Sequence, residues 1–151
     1  MRLHVTSFAS TIVAIVIAGI ATACGSDTPT TPAAPTPAPG PPPVSFSTQI
    51  QAQILTPSCA PCHTDDGRTP SGGLNLKQGS AYANLVGVAS TGKPGATRVI
   101  AGNPSGSYLV QKLEGAADIV GLRMPRNGPP FLTDAQVATI RQWIQNGAPN
   151  N

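Results

Sequence analysis

Metal-binding side chains are scarce in this chain, whose 151 residues include only two histidines, two methionines and three cysteines. Removal of a predicted export signal over residues 1–23 leaves a single histidine, His63, and a single methionine, Met124. A structural zinc site usually takes four protein ligands. With Cys24 assigned to a separate role, two cysteines and one histidine are too few to form one, which argues against structural zinc.

Charged and aromatic residues are also few. Charged residues make up 10% of the chain and its net charge is +3 at pH 7, a balance too weak to indicate nucleic acid or a strongly acidic partner. The segment from Val44 to Pro149 has the length of one small domain and includes few aromatic side chains, so its apolar core is marginal by itself. No segment shows a sustained alternation of apolar and polar residues, and the pattern favours an all-α fold.

The most specific motif is Cys-Ala-Pro-Cys-His at residues 59–63. This C-x-x-C-H pattern is the attachment signature of c-type haem. It predicts that the thiols of Cys59 and Cys62 bind the haem covalently and that His63 supplies the proximal ligand of the iron. The chemistry needs two sulfurs about one helical turn apart with an imidazole directly after them, and few other sites need that order.

Two other interpretations of the thiols stay open. A redox-active C-x-x-C pair belongs to a βαβ context, and no strand–helix–strand pattern surrounds Cys59. A disulfide between Cys59 and Cys62 would close a very small loop and stabilise the fold little. A thiol–disulfide protein of this kind would be colourless even beside a haem maturation system.

The N-terminal segment predicts export. Residues 1–23 have a positive start at Arg2 and His4, an apolar stretch over 12–18 and small residues before Cys24, which is the plan of a signal peptide. Residues 21–24, Ala-Thr-Ala-Cys, resemble a bacterial lipobox, in which the cysteine is lipidated after cleavage, although alanine replaces the commoner leucine. Ordinary cleavage that leaves Cys24 free is the alternative.

Residues 24–44 predict a disordered tether behind the lipid anchor. They are nearly all Pro, Thr, Ala, Ser and Gly with one charge, Asp27, and such a composition favours an extended chain with a reach of about 60 Å. We expect the protein on the periplasmic side of a bacterial membrane. Gly25 is not the aspartate that retains some enteric lipoproteins at the inner membrane, which favours the outer membrane. Without lipidation, the protein would be periplasmic or secreted.

The apolar pattern predicts about four short helices within residues 45–149. Phe46, Ile50 and Ile54 recur every fourth residue behind a serine N-cap at position 45 or 47, and Pro57 is expected to end this helix near Thr56. Weaker signals predict a second helix over residues 78–86. A third helix is predicted over residues 108–114, with a glycine to end it.

The last helix carries the clearest boundary signals. Thr133 and Gln136 form a capping box, and Leu132 and Val137 are placed for a hydrophobic staple. Gly147 lies where a left-handed C-cap is expected. These signals predict a helix from about residue 134 to residue 146.

The order of these features resembles a small monohaem cytochrome c domain. The resemblance covers about residues 46–148 and includes segments 71–76, 101–109 and 143–148, which are similar to those of a bacterial subgroup. It implies a cytochrome c domain over residues 45–149, with about four short helices and long Gly/Pro loops around one covalent haem. In many members a glycine of the first helix lies where the last helix crosses it. Here Ala52 is the smallest residue available.

The resemblance also implies the distal iron ligand. Met124 lies in an Arg-Met-Pro segment about sixty residues beyond His63, where the family supplies a thioether to the opposite face of the iron. A backbone carbonyl, expected around Arg68 to Pro70, would accept a hydrogen bond from the other nitrogen of His63. A methionine that only fills a core gap is the alternative, with an open site or another ligand such as lysine.

These expectations predict an electron carrier rather than an enzyme, because an iron with both axial positions filled has no room for substrate. Its partners would be redox proteins that bind transiently, and a lipid bilayer through Cys24. The alternative is a haem protein whose open distal site binds a small gas or peroxide. Trp143 is expected in the core, and the candidates to contact the haem propionates or ring are Arg98, Arg123, Arg126, Tyr82, Tyr108 and Trp143. For any single arginine, a solvated surface charge is the expected state.

Overall fold

The computed structural model describes residues 42–151. The predicted signal peptide, Cys24 and the tether up to residue 41 lie outside the described residues. Within residues 42–151 the regular structure is helical, with isolated β-bridges and no strand, which confirms the prediction of an all-α domain for this part of the chain. None of the described helices is long and apolar enough to span a bilayer.

The first helix, α1, covers Phe46–Leu55 and begins at Ser45, whose Oγ accepts a hydrogen bond from the N–H of Thr48. It has π-helical hydrogen bonds and continues into an α-helical turn at Thr56–Ser58. The prediction that Pro57 ends the helix near Thr56 is therefore wrong. Proline needs no hydrogen-bond acceptor in the first turn of a helical segment, so the chain stays helical as far as the residue before Cys59.

Three further helices follow: α2 over Ala81–Leu85, α3 over Tyr108–Glu114 and α4 over Asp134–Gln145. The second is shorter than predicted. The third ends at Gly115 in the left-handed conformation, as expected (φ 74°). The capping box at the start of α4 is present, since the hydroxyl of Thr133 accepts from the N–H of Gln136 and the side chain of Gln136 accepts from the N–H of Thr133.

The core lies where α4 packs against α1 and α3. Trp143 is fully buried there, with its ring centroid 5.2 Å from that of Phe46 and 6.5 Å from that of Tyr82. Its indole N–H donates to the carbonyl of Pro149 at 2.9 Å. The predicted core role of Trp143 is confirmed. Ala52 is exposed, so the contact between the first and last helices is formed by aromatic rings rather than by this small residue.

The segment between α2 and α3 folds back on itself and fixes the position of Arg98. The N–H of Arg98 donates to the carbonyl of Val88 at 2.8 Å, and the carbonyl of Arg98 accepts from the N–H of Leu109 at 2.9 Å. A single 3-10 turn over Ser71–Gly73 lies earlier in the chain. This turn and Arg98 both lie beside the site described next.

Candidate functional site

A cavity of about 380 Å³ lies beside α3, and all four predicted site residues of the described domain line it. Cys59, Cys62 and His63 come from the segment after α1, whereas Met124 comes from the loop after α3. Apolar atoms form most of the cavity wall, and the other apolar side chains that contribute to it are Leu74, Leu76, Leu85, Leu109, Leu113, Val120 and Pro125. The fold thus brings the sequence motif and the distant methionine to one apolar cavity.

The Cys-x-x-Cys-His segment continues the helical turn that leads into it. The N–H of Cys59 donates to the carbonyl of Leu55, and the N–H of His63 donates to the carbonyl of Cys59, each at 3.0 Å. Winding of this kind places both sulfurs and the imidazole within about one turn of backbone. Cys59 is half-buried and Cys62 is exposed, and both are free thiols.

His63 is oriented by a backbone carbonyl. Its Nδ1 lies 2.8 Å from the carbonyl oxygen of Ser71. Because a carbonyl only accepts, Nδ1 carries the hydrogen, and Nε2 of a neutral ring keeps a free lone pair. The expected acceptor lay around Arg68 to Pro70. The acceptor lies one residue further on, because the N–H of Ser71 donates to the carbonyl of Cys62 and bends the turn back over the histidine.

The environment favours the neutral imidazole. Burial lowers the pKa of His63, and the hydrogen bond from Nδ1 to the Ser71 carbonyl opposes this effect. The positive charges of Arg98 and Lys112 lower the pKa slightly further. A neutral imidazole with one free nitrogen is the form in which histidine binds a metal.

Met124 is held beside α3 by two hydrogen bonds of the loop that carries it. Its N–H donates to the carbonyl of Lys112 at 2.9 Å, and Nε of the preceding Arg123 donates to the carbonyl of Leu113 at 2.7 Å. The half-buried side chain of Met124 also packs against the apolar core. Two donors anchored on one helix fix the backbone at the point where the thioether enters the cavity wall.

The Ser71–Gly73 turn is fastened by two side chains. Nη2 of Arg98 donates to the carbonyl of Gly73 at 3.0 Å, and Oγ1 of Thr91 donates to the carbonyl of Gly72 at 2.6 Å. Gly73 has a left-handed backbone (φ 60°), and a Cβ there would lie 3.4 Å from Thr91 Oγ1. The turn that presents the acceptor for His63 therefore depends on glycine and on two donors from a later loop.

The six candidate ring or propionate contacts separate into two groups. Arg98, Tyr108 and Arg126 line the cavity. The other three lie elsewhere: Tyr82 and Trp143 pack in the core, and Arg123 lies over the ring of Phe131, at 4.2 Å from its centroid.

One charged residue of the cavity was not among the sequence candidates. Lys112 lines the cavity together with Tyr108, Leu109 and Leu113, on one face of α3. The i, i+4 spacing of residues 108 and 112 carried this signal, because residues four apart lie on the same side of a helix. The sequence therefore held enough information to place Lys112 here once α3 had been predicted.

The thiols differ in their surroundings. Burial, with a further contribution from the nearby Cys62, raises the pKa of Cys59 to about 11. A thiol of this kind is protonated at neutral pH, whereas exchange-active cysteines have lowered pKa values. Within residues 42–151 no cluster of three or more His, Cys, Asp or Glu side chains is arranged to hold a metal ion.

A scan against protein-family models, a search of curated proteins and a search of solved structures found no match to this chain. Its chemistry is inferred from the side chains of the cavity.

Proposed function

We propose that the cavity holds one haem, bound covalently through Cys59 and Cys62, with His63 and Met124 as the axial ligands of its iron, and that the protein carries single electrons. The observation that carries this proposal is the meeting of two thiols, an imidazole and a thioether at one apolar cavity, from segments about sixty residues apart. On this proposal, the helical domain is a cytochrome c-like domain.

The residues present fit such a group. The cavity of about 380 Å³ lies within the usual range of cofactor sites, about 300–1,000 Å³. Its leucine-rich wall suits a flat and mostly apolar ring. His63 keeps Nε2 free for a metal, because Nδ1 is bonded to Ser71. A large apolar ligand would also enlarge the core of a small domain whose core residues are few.

The chain's own residues would set the properties of the site. Bound haem c supplies a reversible one-electron change at its iron. The carbonyl of Ser71 holds the ring orientation of His63, and the neutral thioether of Met124 favours ferrous iron and so raises the reduction potential. With both axial positions filled by side chains, no position is left for a substrate. A carrier that meets its redox partners transiently is therefore the function we propose.

We also propose export and anchoring for this domain. The support is the sequence of residues 1–44: a signal-like segment, Cys24 at the end of its apolar stretch and a proline-rich tether. Dual or triple acylation at Cys24 gives lasting attachment, whereas one chain alone is marginal. Attachment at Cys24 would keep the domain at the periplasmic face of a bacterial membrane, with the outer membrane favoured by Gly25.

Periplasmic expression in a host with haem-ligation machinery tests the proposal. The wild-type protein should gain the mass of one haem and keep its colour after acid–acetone extraction. The double variant Cys59→Ala, Cys62→Ala should have neither the added mass nor the colour. Cys24→Ala is the matched control, since it removes the third cysteine and should retain the haem. A wild-type mass equal to that of the bare polypeptide would refute the proposal. Rapid binding of carbon monoxide to the reduced protein would instead favour an open distal site.

A further inference from the structure

Arg98 is the one charged residue that is buried among residues 42–151, with 7% of its surface exposed. Its guanidinium donates to three backbone carbonyls: Nη1 to Asn84 at 2.8 Å, and Nη2 to Gly73 at 3.0 Å and to Gly72 at 3.5 Å. The ion pairs of the described domain involve other residues: Lys77 with Asp66, Lys93 with Asp118 and Arg141 with Glu114. Arg98 is thus held in the protein without a carboxylate from this part of the chain.

The guanidinium of Arg98 has N–H donors that these contacts do not use. It has five N–H donors, and three contacts to carbonyls leave at least two of them without a partner in the described domain. Carbonyl dipoles satisfy hydrogen bonds and leave the net charge in place. An unpaired charge out of water is unfavourable, and an anion that reaches it offsets part of that cost. Arg98 lines the cavity, and an anion bound there would reach it.

The rest of the cavity wall supports an anionic ligand group. It contains three cationic side chains, Arg98, Lys112 and Arg126, and no aspartate or glutamate. The Nζ of Lys112 is occupied by the carbonyls of Val120 and Leu122, and Arg126 is exposed. Of the three, Arg98 combines burial with free donors, which makes a hydrogen bond to an anion worth the most at this position.

We infer that Arg98 is the carboxylate-binding residue of the cavity and pairs with a carboxylate of the group held there. This inference rests on the proposed function, in which that carboxylate is a haem propionate. Arg98 then has two partners. On one side it fastens the turn that carries the Ser71 carbonyl, and on the other it neutralises a carboxylate. One side chain would link the orientation of the His63 ring to the seating of the cofactor.

A purely structural role, in which Arg98 only fastens the turn, is the competing explanation. It predicts changes at His63 and none at the propionates. The two roles are separated by resonance Raman spectra of the holoprotein, in which propionate-bending bands report hydrogen bonds to the carboxylates. The reduction potential is the second measurement, because loss of a neutralising cation favours ferric iron.

The variants are Arg98→Gln and Arg98→Lys in the haem-loaded protein, with Arg141→Gln as the matched control, because Arg141 lies outside the cavity lining and pairs with Glu114. Arg98→Gln should shift a propionate-bending band and lower the equilibrium constant for reduction about five- to tenfold, since a partly desolvated charge interaction of this kind is worth roughly one factor of ten. Arg98→Lys keeps the charge and loses the planar fork, so it should shift the band with a smaller change in potential. Arg141→Gln should change neither the propionate bands nor the potential.

Unchanged propionate bands in Arg98→Gln would overturn the inference and leave Arg98 as a fastener of the turn. If Arg98→Gln does not fold, Arg98→Lys decides in the same way: its bands move if the inference is right and stay if it is wrong. Equal effects of Arg141→Gln and Arg98→Gln would also reject a specific role for Arg98. Wild-type protein without covalent haem would reject the proposed function itself, which is a separate result from a loaded protein whose bands do not respond.

Discussion

Alanine at both Cys59 and Cys62 is expected to bring the domain close to its limit of stability, because the haem that we propose for the cavity would no longer be retained there. A cavity left by removed core atoms costs about 24 cal/mol per Å³, so a closed and dry space of about 380 Å³ corresponds to about 9 kcal/mol. The cavity is partly open, so entry of water and partial collapse reduce this cost, and about 9 kcal/mol is its upper limit.

The cost of the empty cavity is comparable to the whole free energy of unfolding of a small domain. Small domains unfold with about 5–15 kcal/mol, so a loss that approaches about 9 kcal/mol leaves little or nothing. The alanine side chains add a small direct cost, because Cys62 is exposed and Cys59 is only half-buried. We therefore expect the haem-free double variant to lack a rigid core while some helix content remains.

Urea unfolding followed by near-ultraviolet circular dichroism measures this directly, since Trp143 is fully buried in the core and reports its packing. The loaded wild-type protein should unfold cooperatively, and the haem-free double variant should show a weak near-ultraviolet signal and no clear transition. Cys24→Ala, which keeps the haem, is the control for removal of a cysteine. A double variant that unfolds cooperatively at the wild-type urea midpoint would refute the reasoning from cavity volume.

Three further outcomes are expected. Met124→Ala in the loaded protein should keep the covalent haem, lower the reduction potential and allow carbon monoxide to bind the reduced iron. A redox titration that gives the wild-type potential would show that another residue is the sixth ligand. Trp143→Phe should lower the free energy of unfolding in urea by about 2–3 kcal/mol, because it removes the indole hydrogen bond to a backbone carbonyl and part of the buried ring. A decrease of less than about 0.5 kcal/mol would contradict the packing described. Thr133→Ala should cost about 1 kcal/mol through loss of the N-cap, whereas Thr139→Ala, an exposed hydroxyl later in the same helix, should cost less than half as much.

Helix α4 was predictable because its boundaries depend on neighbouring residues. A hydroxyl and an amide three residues apart satisfy the first N–H groups of a helix whatever the rest of the fold does, and Thr133 and Gln136 do so here. The end of α1 was not predictable in this way. Pro57 carries a local signal to stop, and the helical continuation to Ser58 follows from how the whole segment is wound.

The same distinction applies to the site. Cys59, Cys62 and His63 are adjacent in sequence, and Met124 was expected through a family resemblance. The acceptor for His63 and the burial of Arg98 depend on loops that meet only in the folded chain, since the Ser71–Gly73 turn is fastened by residues about twenty or more positions later. No local pattern distinguishes Arg98, which is buried, from Arg126, which is exposed.

Both proposed iron ligands lie in loops, so specific hydrogen bonds have to hold those loops in one conformation. The cations of the chain supply many of them: Arg98 and Lys112 donate to carbonyls beside the cavity, Arg123 donates to the carbonyl of Leu113 and Arg68 donates to that of Pro61. Four of the eight basic side chains of residues 42–151 are used in this way. This use also bears on the proposed function. Electron transfer is fast when the ligands move little between oxidation states. The carbonyls bound by Arg98, Lys112 and Arg123, whose side chains are buried or half-buried, would resist such movement more than a solvated loop would.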